Sequence, residues 1–159
     1  MMPFKAFTKK YDDIVSQIIL PCEVSKPVAD IAHGIDMTTF DALWDTGASC
    51  SAISKRAATL LKLVPVSVNS VYHANGRSMV NLYDISFILP NKTLFPHVTV
   101  VEVTLSDFDL LIGMDIISQG DLSISNKDGK TTFSFRLPSY KEIDFLKEYD
   151  EVVPVLPDL

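Results

Sequence analysis

The 159-residue chain is poor in cysteine, in basic residues and in long apolar runs. Two cysteines, Cys22 and Cys50, cannot make a disulfide framework, and nothing in the sequence requires them to pair. The first ten residues carry bases with no apolar run and cleavage site behind them, which together with the sparse thiols points to a cytoplasmic protein. No stretch approaches the roughly 20 apolar residues of a membrane-spanning helix. Lys and Arg number 14 against 20 Asp and Glu, a net charge of −6, so nucleic acid and anionic membranes are not expected partners. A Gly-rich phosphate loop ending in Gly-Lys-Ser/Thr is absent, as is Gly-x-Gly-x-x-Gly. His33, His73 and His97 lack ligand spacing, so neither a metal nor another cofactor is expected.

What is present suits one folded domain. Apolar residues make up 47% of the chain and mean hydropathy is +0.22, enough for a single core and too apolar for disorder. The charge is uneven. From Ser139 onward two bases meet six acids, so the last 21 residues carry −4 of the total. The division expected is one domain over residues 1–138 and an acidic extension with a short helix over 139–159. A charged segment of this kind is ordinarily a solvated face.

The pattern is β-rich. Strands are expected at Ile14–Leu20, Phe40–Trp44, Val80–Leu89, His97–Val103, Leu110–Ile112 and Thr131–Phe135, rich in Val, Ile, Phe and Thr. Turn chemistry separates them at Asn75-Gly76, Pro90-Asn91 and Asp128-Gly129, and His33-Gly34 reads as another turn. Helix is expected at Ser54–Leu63, over a turn or two at Asp115–Gln119, and after a capping box at Ser139-x-x-Glu142.

The string that carries chemistry is Ala42-Leu43-Trp44-Asp45-Thr46-Gly47-Ala48-Ser49. An apolar strand delivers an acid, a small hydroxyl and a glycine. Gly47 lets backbone N–H groups approach the carboxylate, and Thr46 can hydrogen-bond across a close contact. Asp-Thr-Gly is also a common plain turn. An aspartyl-phosphate site would want a second acid two residues on, or Lys-Thr-Gly-Thr after the Asp, and Asp45 has neither. A second string, Leu110-Leu111-Ile112-Gly113, again runs an apolar strand into a glycine, 66 residues beyond Gly47. Between the two lies Tyr72-His73-Ala74-Asn75-Gly76-Arg77, a hairpin tip flanked by strand formers. Trp44 reads as core beneath the Asp45 loop, Cys50 as a small buried residue, and Asp115 as a structural acid that caps a short helix or holds the loop.

Taken in order, these strings resemble the retropepsin-like aspartic proteases, and the Ile112-Gly113-Met114-Asp115-Ile116-Ile117 run is most similar to bacterial or phage members. The resemblance spans about residues 31–135. It implies an all-β acid-protease barrel with a flap hairpin and one or two short helices. It also implies a catalytic Asp45 supported by Thr46, Gly47 and Ala48. Flap residues Tyr72, His73, Ala74, Asn75 and Gly76 would meet substrate, and Ile112 and Gly113 would form a structural second motif. Since the chain has one Asp-Thr-Gly, it implies an endopeptidase that works on polypeptides as a homodimer, one Asp45 from each copy. The alternative is a peptide-binding or dimerisation module that keeps the fold without catalysis. Ser49 and Met114 stand where retroviral members often carry an Asp–Arg pair, and the flap tip lacks the viral glycines.

Overall fold

Alternation of buried and exposed residues sets the strands of a computed structural model, which describes residues 5–28, 36–73 and 76–152. The elements are β1 (Lys5–Lys10), β2 (Ile18–Ser25), β3 (Thr38–Trp44), β4 (Ala52–Ser54), α1 (Lys55–Leu60), β5 (Ser67–His73), β6 (Gly76–Ile88), β7 (Leu94–Val103), β8 (Leu110–Ile112), α2 (Met114–Ile117), β9 (Asp121–Ser125), β10 (Thr132–Leu137) and α3 (Phe145–Val152). Seven strands form one sheet in the order β2-β3-β8-β4-β7-β6-β5, and an added β2–β6 pairing from Glu23–Ser25 to Ser86–Ile88 curls it toward a barrel. Strands β1, β10 and β9 form a second, antiparallel sheet. The architecture is all-β with short helices, as expected.

The two sheets meet over aromatic rings. Phe7 of β1 and Phe133 and Phe135 of β10 surround Trp44, with ring centroids 4.9–5.8 Å from the indole. Burying such rings supplies much of the apolar driving force, and their tilted contacts suit the ring quadrupoles. Trp44 is therefore core at the end of β3, directly before Asp45, as its position in the sequence suggests. In the main sheet Val24, Ile53, Ile85, Phe87, Val100 and Ile112 are fully or almost fully buried.

Several boundaries depart from the sequence pattern. The strand expected at Ile14–Leu20 lies at Ile18–Ser25 and runs through Pro21. Among the described residues the strand pairs over Ile18–Cys22 with β3 alone, an edge setting in which a proline is tolerated. Strand β1 has only Phe7 to bury among three lysines, and β4 is three residues long; neither offers a readable period. Helix α1 starts at Lys55, its N-cap Ser54 accepting from Ala57 N at 3.0 Å, and it stops at Leu60, with Lys62 in the left-handed region at φ 52°. The capping box at Ser139 is not used. The Ser139 hydroxyl donates to Asp121, and Asp144 instead caps α3 by accepting from Leu146 N at 3.0 Å. The hairpin at Asp128-Gly129 forms, with both residues at positive φ. The His33-Gly34 turn lies outside the described residues.

Candidate active site

Asp45 follows the last residue of β3, where β8 threads between two neighbours. Strand β8 runs parallel to β3, in the register Ala42↔Leu110, Leu43↔Leu111 and Trp44↔Ile112, and antiparallel to β4. The two apolar strings of the sequence thus lie side by side, which removes the reading of Asp-Thr-Gly as an isolated turn. Asp45 N donates to Ile112 O at 3.0 Å, and Met114 N donates to Ala48 O at 2.8 Å. The loop Asp45–Ala48 is pinned at both ends to the Ile112–Gly113 turn.

The carboxylate itself is partly exposed. Its Oδ1 accepts from Gly47 N at 2.8 Å, and its Oδ2 carries no hydrogen bond from the described residues. A Cβ on Gly47 would stand 3.1 Å from that Oδ1, so glycine there keeps the carboxylate in contact with the backbone N–H. Thr46 is exposed beside it and Ala48 partly so. A carboxylate held through one oxygen by a single backbone donor keeps its other oxygen free to bind a water or a second acid.

The other acids of the region are already committed. Asp115 accepts from Ser51 N at 3.0 Å and Ser51 Oγ at 2.8 Å, and Ser51 Oγ in turn accepts from Gly113 N at 3.1 Å. Ser51 is fully buried, so this knot ties the loop to α2 in a setting where an unmet partner is expensive. Asp115 does hold the loop, as its sequence position suggests. Asp109 is buried and accepts from Ser54 Oγ at 2.6 Å and from Arg56 Nε at 3.1 Å and Nη2. The guanidinium offsets the desolvation of that carboxylate. Among the described residues no three His, Cys, Asp or Glu side chains group as ligands for a metal.

Two residues escaped the sequence reading. Leu43 and Leu111 face each other in register and are only partly buried, whereas Ala42, Trp44, Leu110 and Ile112 on either side are buried. By strand alternation they point to the opposite face, next to Asp45. The tie through Ser51 also escaped, because its partners lie 62 and 64 residues away. Cys50 departs from expectation: it is exposed, while Cys22 is buried and its thiol is pushed up to about 12 by desolvation. Both are unpaired. Of the expected flap, Tyr72 and His73 close β5 and Gly76 opens β6, paired His73↔Gly76, while Ala74 and Asn75 lie outside the described residues.

The family model described as "gag-polyprotein putative aspartyl protease" matches residues 31–119, more than half of the chain. The chain belongs to this aspartic protease family. Its retropepsin-like fold is similar to the retropepsin-like aspartic protease from Rickettsia conorii, with a TM-score of 0.52 at 12% identity over 86% of this chain and 97% of that one. The EIAV protease complexed with the inhibitor HBY-793 gives a TM-score of 0.48 at 13% identity over 68% and 90% of the two chains. The retroviral protease-like domain of Ddi1 from Leishmania major gives 0.46 at 20% identity over 82% and 99%. At 12% identity the likeness to the Rickettsia protein is one of fold. No curated protein matches the sequence. No helix among the described residues is long and apolar enough to cross a membrane.

Proposed function

We propose that the chain is an aspartic endopeptidase that works as a homodimer, with Asp45 of each copy forming one catalytic pair. One observation carries this reading: Asp45 has an oxygen with no partner among the described residues, while Asp109 and Asp115 are bound to Ser54, Arg56 and Ser51. Asp109 and Asp115, the acids that flank Gly113, are thus not available as the second member, and a general acid–base pair needs two. A second copy supplies it by an isologous contact.

Two carboxylates in contact cannot both ionise, so the pair would share one proton. The ionised member would take a proton from a water, which attacks the scissile carbonyl. The protonated member would donate to the carbonyl oxygen as negative charge develops there. Thr46, Gly47 and Ala48 would hold the geometry, Thr46 by a contact across the two-fold axis. Ile112 and Gly113 would buttress the loop from behind. The hairpin β5–β6, with Tyr72–Gly76 at its tip, would close over an extended peptide and bind it as an added strand. Leu43 and Leu111 would offer apolar contacts to substrate side chains. We place the protein in the cytoplasm, where two unpaired thiols are at home.

Digestion of a peptide library at several pH values, with wild type and Asp45→Asn side by side, tests the proposal. Cleavage by wild type that falls away on both sides of an optimum, with none by Asp45→Asn, is the expected result. Peptide binding without cleavage by wild type would instead favour a non-catalytic module.

A further inference from the structure

The hairpin β5–β6 leaves the body of the sheet part-way along its length. Strand β7 pairs with β6 from Ile88 back to Leu82, which faces Val101, and β5 pairs with β6 from Leu82 to Gly76. From Asn81 to Gly76, strand β6 has β5 as its only neighbour among the described residues, and β5 is the edge of the sheet. Beyond Leu82 the hairpin is therefore a two-stranded arm. Two strands on their own are marginally stable in water, so the setting of the arm depends on what holds its root. Apolar packing does little there: Val68 is 52% exposed and Met79 65%. On the other face Ser78 and Val80 look across an open groove of about 410 Å³ to Lys55, Val103 and Thr104.

A polar node sits at that root. Glu102 is the first residue of β7 past its last partner on β6, and from there β7 continues beside β4, in the register Ile53↔Glu102 and Ser54↔Val103. One carboxylate oxygen of Glu102, Oε2, accepts from Tyr83 Oη at 2.6 Å and from Asn81 Nδ2 at 3.2 Å. Asn81 Nδ2 also reaches Tyr83 Oη at 3.3 Å. Tyr83 is 6% exposed; burial first, and then the Glu102 carboxylate, push its phenol up, so the hydroxyl stays a donor. The carboxylate thus joins Asn81, the first residue of the arm, to a strand that the arm no longer pairs with. Hydrogen bonds to a charged acceptor are the stronger kind. The node lies behind the arm. Partners across a sheet share a face, and one row runs from Leu43 through Leu111, Ala52 and Val101 to Leu82. By the two-residue period of a strand, Val80 and Ser78 continue that face along β6, while Asn81, Tyr83 and Glu102 stand on the other. The arm presents Ser78 and Val80 on the side where Leu43 and Leu111 lie next to Asp45, and it is tied from the opposite side.

We propose that Glu102 is a positioning residue: its carboxylate latches the arm to β7 from behind and so sets the face that carries Ser78 and Val80 toward a peptide bound at Asp45. The role toward peptide rests on the endopeptidase reading, and the latch does not. Amide hydrogen exchange of the full chain, with peptide cleavage measured in parallel, would compare wild type with Glu102→Ala, Tyr83→Phe and Asp84→Asn. Tyr83→Phe keeps the ring and removes the hydroxyl, so it carries the test if Glu102→Ala fails to fold. Asp84→Asn loses the exposed contact with His97 on the neighbouring strand and serves as the control. In Glu102→Ala, exchange over residues 67–82 should rise at least about ten-fold while β3 and β8 stay as in wild type. Tyr83→Phe should move the same amides by less. In both, KM for an extended peptide should rise, at least about five-fold in Glu102→Ala, with kcat within about two-fold of wild type. Asp84→Asn should match wild type in every reading. Exchange of the arm unchanged in both node variants overturns the latch. So does exchange that rises equally in β3 and β8, since the node would then support the whole fold. A loosened arm in a chain whose wild type cleaves no peptide upholds the latch and defeats the endopeptidase reading. Cleavage by wild type with KM unmoved in both node variants defeats the positioning role and leaves that reading standing.

Discussion

Replacing Gly113 by alanine adds one methyl group at the most crowded point of the Asp45 support. The backbone there has φ −96° and ψ −173°, ordinary extended values that any residue adopts, so the demand for glycine is one of space. A Cβ would lie 2.6 Å from the carbonyl carbon of Cys50, 2.7 Å from its oxygen and 3.0 Å from Ser51 N, all backbone atoms that no side-chain rotation can clear. Contact distances near 3.5–4.0 Å are comfortable, so the two segments must part by roughly 1 Å. They are held together by Gly113 N on Ser51 Oγ, Met114 N on Ala48 O and the Ser51–Asp115 tie. Overpacking costs about 1–3 kcal/mol, and a buried hydrogen bond lost with its partner unmet costs about the same. Gly113→Ala should therefore lose about 2–6 kcal/mol, a large part of the stability of an ordinary domain. Urea unfolding followed by the emission of Trp44, the single tryptophan, measures it. Gly47→Ala is the contrast. There the added Cβ meets only the Asp45 carboxylate oxygen at 3.1 Å, which can swing away. That variant should stay within about 1 kcal/mol of wild type while losing most of its peptide cleavage. A Gly113→Ala chain as stable as wild type to within about 0.5 kcal/mol would refute the steric reasoning.

Two other changes test separate parts of the structure. Ser51→Ala leaves Asp115 and Gly113 N short of a partner in a fully buried spot and should cost about 1–3 kcal/mol in the same urea measurement, with peptide turnover reduced. For Asp121, burial alone would raise the carboxyl, but hydrogen bonds from Ser139, Tyr140, Arg136 and Lys141 outweigh it and hold the group well below its usual range. A depressed folded value means that its contribution is complete above the unfolded carboxyl's pKa of about 3.9 and fades as pH falls below it toward the folded value. Asp121→Asn should therefore be less stable than wild type by about 1–2 kcal/mol at pH 7, and the gap should narrow below pH 4. A gap independent of pH in thermal unfolding would contradict the assignment.

The sequence shows the site more readily than its surroundings, for physical reasons. Asp45-Thr46-Gly47-Ala48 and Ile112-Gly113 are weak signals singly and stand out only through their order and their resemblance to a known family, and the structure sets the strands that lead into them side by side. Trp44 is legible as core because an apolar strand must end somewhere under the loop it delivers. The Ser51–Asp115 knot is not legible, since a serine and an aspartate 64 residues apart give no local sign of contact. Strand β1 hides for another reason: only Phe7 among its six residues faces the core, and a single apolar residue has no period. The second strand runs on past the expected end at Leu20, through Pro21, because over Ile18–Cys22 it pairs among the described residues with β3 alone. The cap of α3 moved from Ser139 to Asp144 because Asp121, eighteen residues upstream of Ser139, takes its hydroxyl.

In the proposed enzyme each copy gives one Asp45 to a shared site, and mixing tests that most directly. Wild type at a fixed concentration, high enough to be dimeric, would receive increasing Asp45→Asn chain and be allowed to exchange subunits. If both carboxylates are needed, the activity per wild-type chain follows the wild-type fraction: about half at equal amounts, about a tenth at nine-fold excess of the variant. Activity that stays constant as the variant is added would show that one Asp45 suffices, and the central claim would fall.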